Sequence, residues 1–207
     1  MASTTRLKPR RSPRQDRSRQ TVEAILQAAA HVFERHGYAA GTTNRIAERA
    51  GVSIGSLYQY FPNKDTIVIE LMRRHMAAAE EVARPALQQL IDETPPLRDA
   101  LTAIVQGMIA LHEQSPRLHR VLSEEAPHPP EIIAIQRELF DVTSGLIGEY
   151  LSACPQVTSA DPVLAGRMVA QVVDEMTHGI VIHARPSDDM QTYASETVTM
   201  LERYLTG

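Results

Sequence analysis

Two groups of residues in this chain of 207 have types and spacings that could do chemistry. The first centres on histidine. Glu175 and His178 stand three apart with His183 beyond, a spacing that on a helix sets a carboxylate and an imidazole on one face as metal ligands. One such pair is a weak signal, because a site of this kind draws a second acid-and-histidine set from another helix and none is visible. Satisfied or solvent-facing side chains are the favoured reading, and no metal or cofactor is expected. The second group is polar and aromatic: Thr42, Thr43, Asn44 and Arg45, then Ser53, Ile54, Gly55, Ser56, Tyr58, Gln59 and Tyr60. Hydroxyls, amides and a guanidinium projecting from short helices suit phosphates and base edges in a DNA major groove. Catalysis finds no footing. There is no GxSxG elbow, no glycine-rich phosphate loop and no HExxH, and the single Cys154 cannot make an internal disulfide or a zinc site by itself, so no enzymatic activity is expected.

The second group must be held by a helix-turn-helix. Thr42 can cap a first helix with Ile46, Ala47 and Ala50 inward, and Gly51 can supply the left-handed residue that ends it. Val52 plugs the turn. Ser53 caps a second helix, Ile54 to Tyr60, of which only Leu57 and the Phe61 just beyond face a core. Pro62 stops that helix, and Asn63 caps the next, which starts at Lys64. A helix from Arg19 supplies the floor, with Val22, Ile25, Leu26, Ala29, Val32, Phe33 and His36 as one apolar stripe ending at Gly37. Ahead of it, residues 1–18 carry Arg6, Lys8, Arg10, Arg11, Arg14 and Arg17 and are expected to be a disordered basic arm. Such an arm either follows phosphates or a minor groove, or is a soluble tail.

Charge separates the chain into unlike parts. Residues 1–64 hold 11 Lys or Arg against 4 acids, net +7, and the rest holds 10 against 21, net −11. A basic module on an acidic body is the footprint of a part that meets a polyanion on a scaffold that does not. No apolar run approaches the ~18 to 20 residues of a membrane span, and no signal peptide opens the chain, so a cytoplasmic protein with no membrane partner is expected.

Beyond Lys64 the periodicity is helical throughout, which predicts an all-α fold. Pro85 is expected to kink or split the fourth helix near Ala83, and Thr94-Pro95-Pro96 closes the following segment. Helices are expected from Leu97 to Gln114, Pro116 to Glu125 and Pro129 to Ala153. The next is capped by Asp161 and ended by Pro186, with Leu164, Met168, Val169, Val172, Met176 and Ile180 on its apolar face. Ser187 is expected to cap the last.

The stretch GTTNRIAERAGVSIGSLYQYFPNK, with the helix before it and His36-Gly37-Tyr38, resembles the DNA-binding signature of the TetR family of bacterial repressors over residues 19–70. Thr43 stands where an aliphatic residue is common, and Ile54 where a polar residue often opens the recognition helix. The resemblance implies a helix-turn-helix domain over residues 19–63 and a helical ligand-binding and dimerisation domain over 64–207. It implies DNA contacts from Thr42, Thr43, Asn44, Arg45, Ser53, Ile54, Gly55, Ser56, Tyr58, Gln59, Tyr60 and Lys64, the last two holding phosphates. The implied partners are a double-stranded DNA operator, a second copy packed through the last two helices, and a small-molecule effector that releases the repressor. The pocket implied lies among Met72, His75, Met76, Met108, His112, Leu122, Leu139, Phe140, Thr143, Met168, Val172 and Met176. With no Trp and 3 Phe, an aliphatic or amphipathic effector fits this better than a flat aromatic one. Two other readings stay open: a DNA-binding protein whose C-terminal half only dimerises, and a helical small-molecule enzyme or carrier.

Overall fold

The computed structural model describes residues 13–183, 185 and 187–207. Every regular element among them is helical: α1 (Pro13–Ala40), α2 (Thr43–Ala50), α3 (Ile54–Tyr60), α4 (Lys64–Glu93), α5 (Leu97–Glu113), α6 (Pro116–Arg120), a π-helical turn (Val121–Glu125), α7 (Pro130–Ala153), α8 (Pro162–Ile182) and α9 (Met190–Thr206). The chain divides into two compact units, Met1–Val68 and Ile69–Gly207, so the first turn of α4 belongs with the helices before it. No helix among the described residues is long and apolar enough to cross a membrane.

In the first unit, Ile25, Leu26, Ala29, Val32 and Phe33 of α1 are buried with Ile46 and Ala47 of α2, Leu57 of α3, Phe61, and Ile67 and Val68 of α4. Burying each large side chain contributes ~1.5 to 3 kcal/mol, enough to fix the short α2 and α3, which would not persist alone. Gly37 breaks α1 with φ 73°, where glycine is at ease and other residues are strained, so the helix turns at the expected place. His36 just before it is exposed rather than on the apolar stripe, because the stripe closes on Phe33. The start of α1 also differs from expectation. Among the described residues it is already helical at Pro13, so residues 13–18 of the expected arm are helical. Residues 1–12 of that arm, and Pro186, lie outside the described residues.

In the second unit one core joins α5 (Leu97, Leu101, Val105, Ile109), α7 (Ile147, Tyr150, Leu151), α8 (Val169, Val173) and α9 (Val198, Leu201, Leu205). Tyr150 fills its centre, and its hydroxyl donates to the Pro95 carbonyl at 2.8 Å, so the one polar atom of the largest buried side chain is satisfied. Helices α7 and α8 meet at glycines: a methyl group on Gly166 would lie 2.5 Å from the Ser144 carbonyl oxygen and 2.6 Å from the Gly148 nitrogen. Asp161 caps α8 by accepting from the Leu164 N–H at 3.0 Å.

Three expectations are corrected here. Pro85 does not split α4, because the hydrogen bond it forgoes is to Glu81, both residues are exposed, and water can take the place of the missing donor. Val121–Glu125 is a π turn rather than more α-helix, closed by the Ala126 N–H on the Val121 carbonyl at 3.0 Å. The cap of α9 is Asp189 instead of Ser187: its carboxylate accepts from the Gln191 N–H at 3.1 Å and the Thr192 hydroxyl at 2.6 Å, and a carboxylate outcompetes a hydroxyl two residues earlier.

Candidate functional site

The α2–turn–α3 segment is built by its caps. The Thr42 hydroxyl accepts from the Arg45 N–H at 3.4 Å, and Gly51 takes the left-handed conformation (φ 67°, ψ 27°) with its N–H on the Glu48 carbonyl at 3.2 Å. Ser53 then accepts from the Ser56 N–H at 3.1 Å, which starts α3. Leu57 is the one residue of α3 turned fully inward. Ile54, Gly55, Tyr58 and Gln59 are exposed, and Ser56 and Tyr60 half-buried. On the neighbouring helix, Thr42, Asn44 and Arg45 are exposed and Thr43 is half-buried, its hydroxyl 3.1 Å from that of Tyr58. The two helices thus present one continuous face of neutral donors and acceptors with a single arginine, and no acid stands on the outer side of α3. Such a face can hydrogen-bond base edges without repelling phosphate.

Lys64 sits differently from a free phosphate hook. Its ammonium donates to the Tyr38 carbonyl at 2.8 Å and the Ala39 carbonyl at 3.4 Å, and lies 4.0 Å from the centre of the Tyr38 ring. The Tyr38 hydroxyl donates in turn to Asp65, and burial together with that carboxylate pushes the phenol pKa up. Lys64 therefore ties the end of α1 to the start of α4, and one of its three N–H groups remains for an anion.

In the second unit the expected pocket residues divide. Met72, His112 and Leu122 are buried; His75, Met76, Met108, Leu139, Phe140, Thr143 and Val172 are half-buried. Thr143 turns its hydroxyl back onto the Leu139 carbonyl at 2.9 Å. Met168 and Met176 do not join the others: they are 45% and 38% exposed on the outer side of α8, where the buried stripe runs through Ala165, Val169, Val173 and Ile180 instead. Leu164, also expected on the apolar face of this helix, is exposed beside them.

Residue spacing singles out His178 and His183 but not the rest of a dense polar cluster among the described residues. His75 (α4), His112 (α5), His119 (α6), His178 (α8) and His183 come together, with ring centres 4.3 Å apart for His112 and His119, 5.4 Å for His119 and His178, and 5.8 Å for His178 and His183. His75 Nε2 is 3.0 Å from His119 Nδ1, and His112 Nδ1 is 2.9 Å from the Met108 carbonyl. Glu124 in the π turn lies 3.2 Å from His178 and 2.7 Å from His183. Burial, and then the neighbouring imidazoles His112, His75 and His178, hold the His119 pKa down to about 3; burial lowers His75 as well. Glu175, the expected companion of His178, is exposed and accepts from Gln171. Sequence spacing links 175 to 178 with 183 beyond, whereas the cluster draws on four helices; beside that spacing, the number of histidines is the signal for the rest.

Comparison with known proteins follows this geometry. A profile described as bacterial regulatory proteins, tetR family, matches residues 25–71, and one described as tetracyclin repressor-like, C-terminal domain, matches residues 96–205. A nucleoid occlusion factor, SlmA, of Vibrio vulnificus is 31% identical over 105 residues, which are 50% of this chain and 52% of that protein. The chain thus spans about half the length of the curated relatives it matches first. A fatty acid metabolism regulator of Bacillus subtilis is 25% identical over 73% of this chain and 78% of its own. Among solved structures, FadR of Bacillus subtilis with stearoyl-CoA superposes with a TM-score of 0.64 at 23% identity, over 86% of this chain and 96% of that one. AibR with isovaleryl coenzyme A and operator DNA gives 0.65 at 21% identity, over 87% and 97%. These two likenesses show the fold.

Proposed function

The chain belongs to the TetR family of DNA-binding transcriptional regulators, and on that premise we propose that it is a homodimeric repressor released from its operator by a small molecule. The observation that carries the reading is the exposed, acid-free face of α3 with the N-terminal residues of α2 beside it. On this reading Asn44, Arg45, Ser56, Tyr58 and Gln59 face base edges or the adjoining backbone. Tyr60 and the free N–H of Lys64 hold phosphates, and Thr42 meets another at the N-terminus of α2, where unpaired N–H groups favour an anion.

A two-fold partner is supported by the outer sides of α8 and α9. Leu164, Met168 and Met176 follow one line along α8, with Val163 beside them 70% exposed, and Tyr193, Met200 and Tyr204 follow another along α9. Apolar rows of this size are rarely left to water, and a second copy covers them symmetrically while doubling a recognition helix that reads only a few base pairs. For the effector, the half-buried Met76, Met108, Leu139 and Phe140 suit an aliphatic chain. The named ligands of the FadR and AibR structures are acyl thioesters, and we carry that class to this chain. Such a regulator works on chromosomal DNA in the cytoplasm and has no catalytic role.

DNase footprinting with DNA flanking the protein's own gene, and fluorescence anisotropy repeated with a panel of acyl-CoA thioesters, test this reading. It expects a protected site with two half-sites about one helical turn apart, salt-dependent affinity, and weaker binding with one of the thioesters. Unchanged DNA affinity with every compound tested, in a protein that binds DNA as a dimer, favours instead a C-terminal half that only dimerises.

A further inference from the structure

We propose that His112, His119 and His178 form a site for one divalent transition-metal ion of the zinc class, with Glu124 at its edge. The site is independent of what the organic effector is. Each of the three offers a ring nitrogen, and these atoms all lie within 4.8 Å of one another. A tetrahedral ion with metal–nitrogen bonds of about 2.0 to 2.1 Å sets its ligand nitrogens about 3.3 Å apart, so the ring nitrogens need to close by at most ~1.5 Å.

The orientation of each ring is already set. His112 is buried, and its Nδ1 can face the Met108 carbonyl at 2.9 Å only by donating, which leaves Nε2 as a bare lone pair. His119 has its Nδ1 engaged by His75 at 3.0 Å, so its Nε2 is the atom left for an ion. His178 is held by Glu124 at 3.2 Å, the carboxylate–imidazole pairing that orients metal-bound histidines. Three ring nitrogens this close can share one cation placed at a point between them. The carboxylate of Glu124 supplies negative charge beside that point, and it comes from a π turn, a rare conformation that recurs at functional sites.

A second set, Glu124, His178 and His183, also has its ligand atoms within 4.8 Å. It is the lesser candidate, because Glu124 and His183 are exposed and already paired at 2.7 Å in contact with water. Three imidazoles select zinc, nickel, cobalt or copper over magnesium and calcium, which seek oxygen ligands, and they leave a fourth position for water or a polar ligand group.

The test uses the full chain without an affinity tag, stripped by chelator and titrated with Co²⁺ by visible absorption, then with Zn²⁺ in competition. The expected result is one equivalent per chain, absorption of tetrahedral intensity, and displacement by Zn²⁺. His119→Gln and His178→Gln should each weaken Co²⁺ binding at least ~10-fold, and Glu124→Gln by about 10- to 100-fold. The double variant His31→Gln, His36→Gln, in the other unit, should bind as the parent does. Both cluster variants replace half-buried rings, and circular dichroism shows which of them keeps its helices, so one folded variant suffices. Absence of stoichiometric binding, or binding lost in the His31, His36 variant and kept in the folded cluster variant, overturns the proposal. No step involves DNA or a thioester, so the outcome is separate from that of the effector reading.

Discussion

Replacing Gly166 by alanine adds one methyl group at the closest approach of α7 and α8. That carbon would meet the Ser144 carbonyl oxygen at 2.5 Å, the Gly148 nitrogen at 2.6 Å and the Gly148 Cα at 2.8 Å, all of them backbone atoms that cannot swing aside. Ordinary contact is reached only if α8 withdraws by roughly 1 Å along a seam where the two helices share a core. Overpacking of this kind costs about 1 to 3 kcal/mol, and the better helix propensity of alanine returns up to ~1 kcal/mol, so Gly166→Ala is expected to destabilise by about 1 to 2 kcal/mol. Gly107→Ala on α5 is the matching control. No atom lies within 4 Å of its added methyl group, so only the propensity gain remains and the variant should be more stable by up to ~1 kcal/mol. Urea unfolding at one fixed protein concentration, with the slope m unchanged, reads both. Equal stability of Gly166→Ala and the parent, or the same loss in both variants, would refute the packing argument.

Lys64→Met should weaken binding to all DNA about equally and lower the salt slope by ~1, measured by anisotropy from low to moderate salt; because Lys64 also ties down Tyr38 and Ala39, the melting temperature should fall too, and an unchanged slope removes its phosphate role. Gln59→Ala should alter preference at one base pair by ~1 to 3 kcal/mol, read from a panel of single-base operator variants, and uniform weakening across that panel would place Gln59 on the backbone. Acid should destabilise the metal-free protein. His119, at about 3 when folded against an ordinary 6.5, takes up fewer protons than the unfolded chain below pH 6.5, so stability is complete above that pH and falls as pH drops toward 3. His75, also lowered by burial, adds to the slope. Allowing for water that reaches these half-buried rings, about 1 kcal/mol should be lost between pH 7 and 5, and His119→Gln should flatten the curve; a parent curve already flat would contradict the burial argument.

The DNA-binding unit was legible almost residue by residue because its determinants are local. Thr42, Gly51, Ser53 and Asn63 cap or end their helices through hydrogen bonds to residues within a few positions, and capping patterns are written in sequence. The order of the C-terminal helices was equally readable from period and proline. What failed there was the choice of face. On α8, Met168 and Met176 are as hydrophobic as Val169 and Val173, and only the neighbour that each side meets separates inner from outer. Lys64 looked like a solvent cation because its carbonyl partners stand 25 and 26 residues earlier. The histidine cluster was hidden for the same reason at greater range, since the bond from His75 to His119 crosses 44 positions and that from Glu124 to His178 crosses 54.

The hydroxyl pair of Thr43 and Tyr58 has two states. At 3.1 Å either oxygen can give the hydrogen, so the pair amounts to a small reversible dipole lying on the outer face of the two helices. With Tyr58 donating inward, its remaining lone pair is open to a donor such as an amino group; with Thr43 donating, the Tyr58 hydrogen is open to an acceptor such as a keto oxygen or ring nitrogen. No heavy atom moves between the two. One site on this surface can thus offer either polarity at the same position, so on the proposed docking the base pair beneath Tyr58 is a tolerant letter in the operator, and Tyr58→Phe is expected to remove that tolerance.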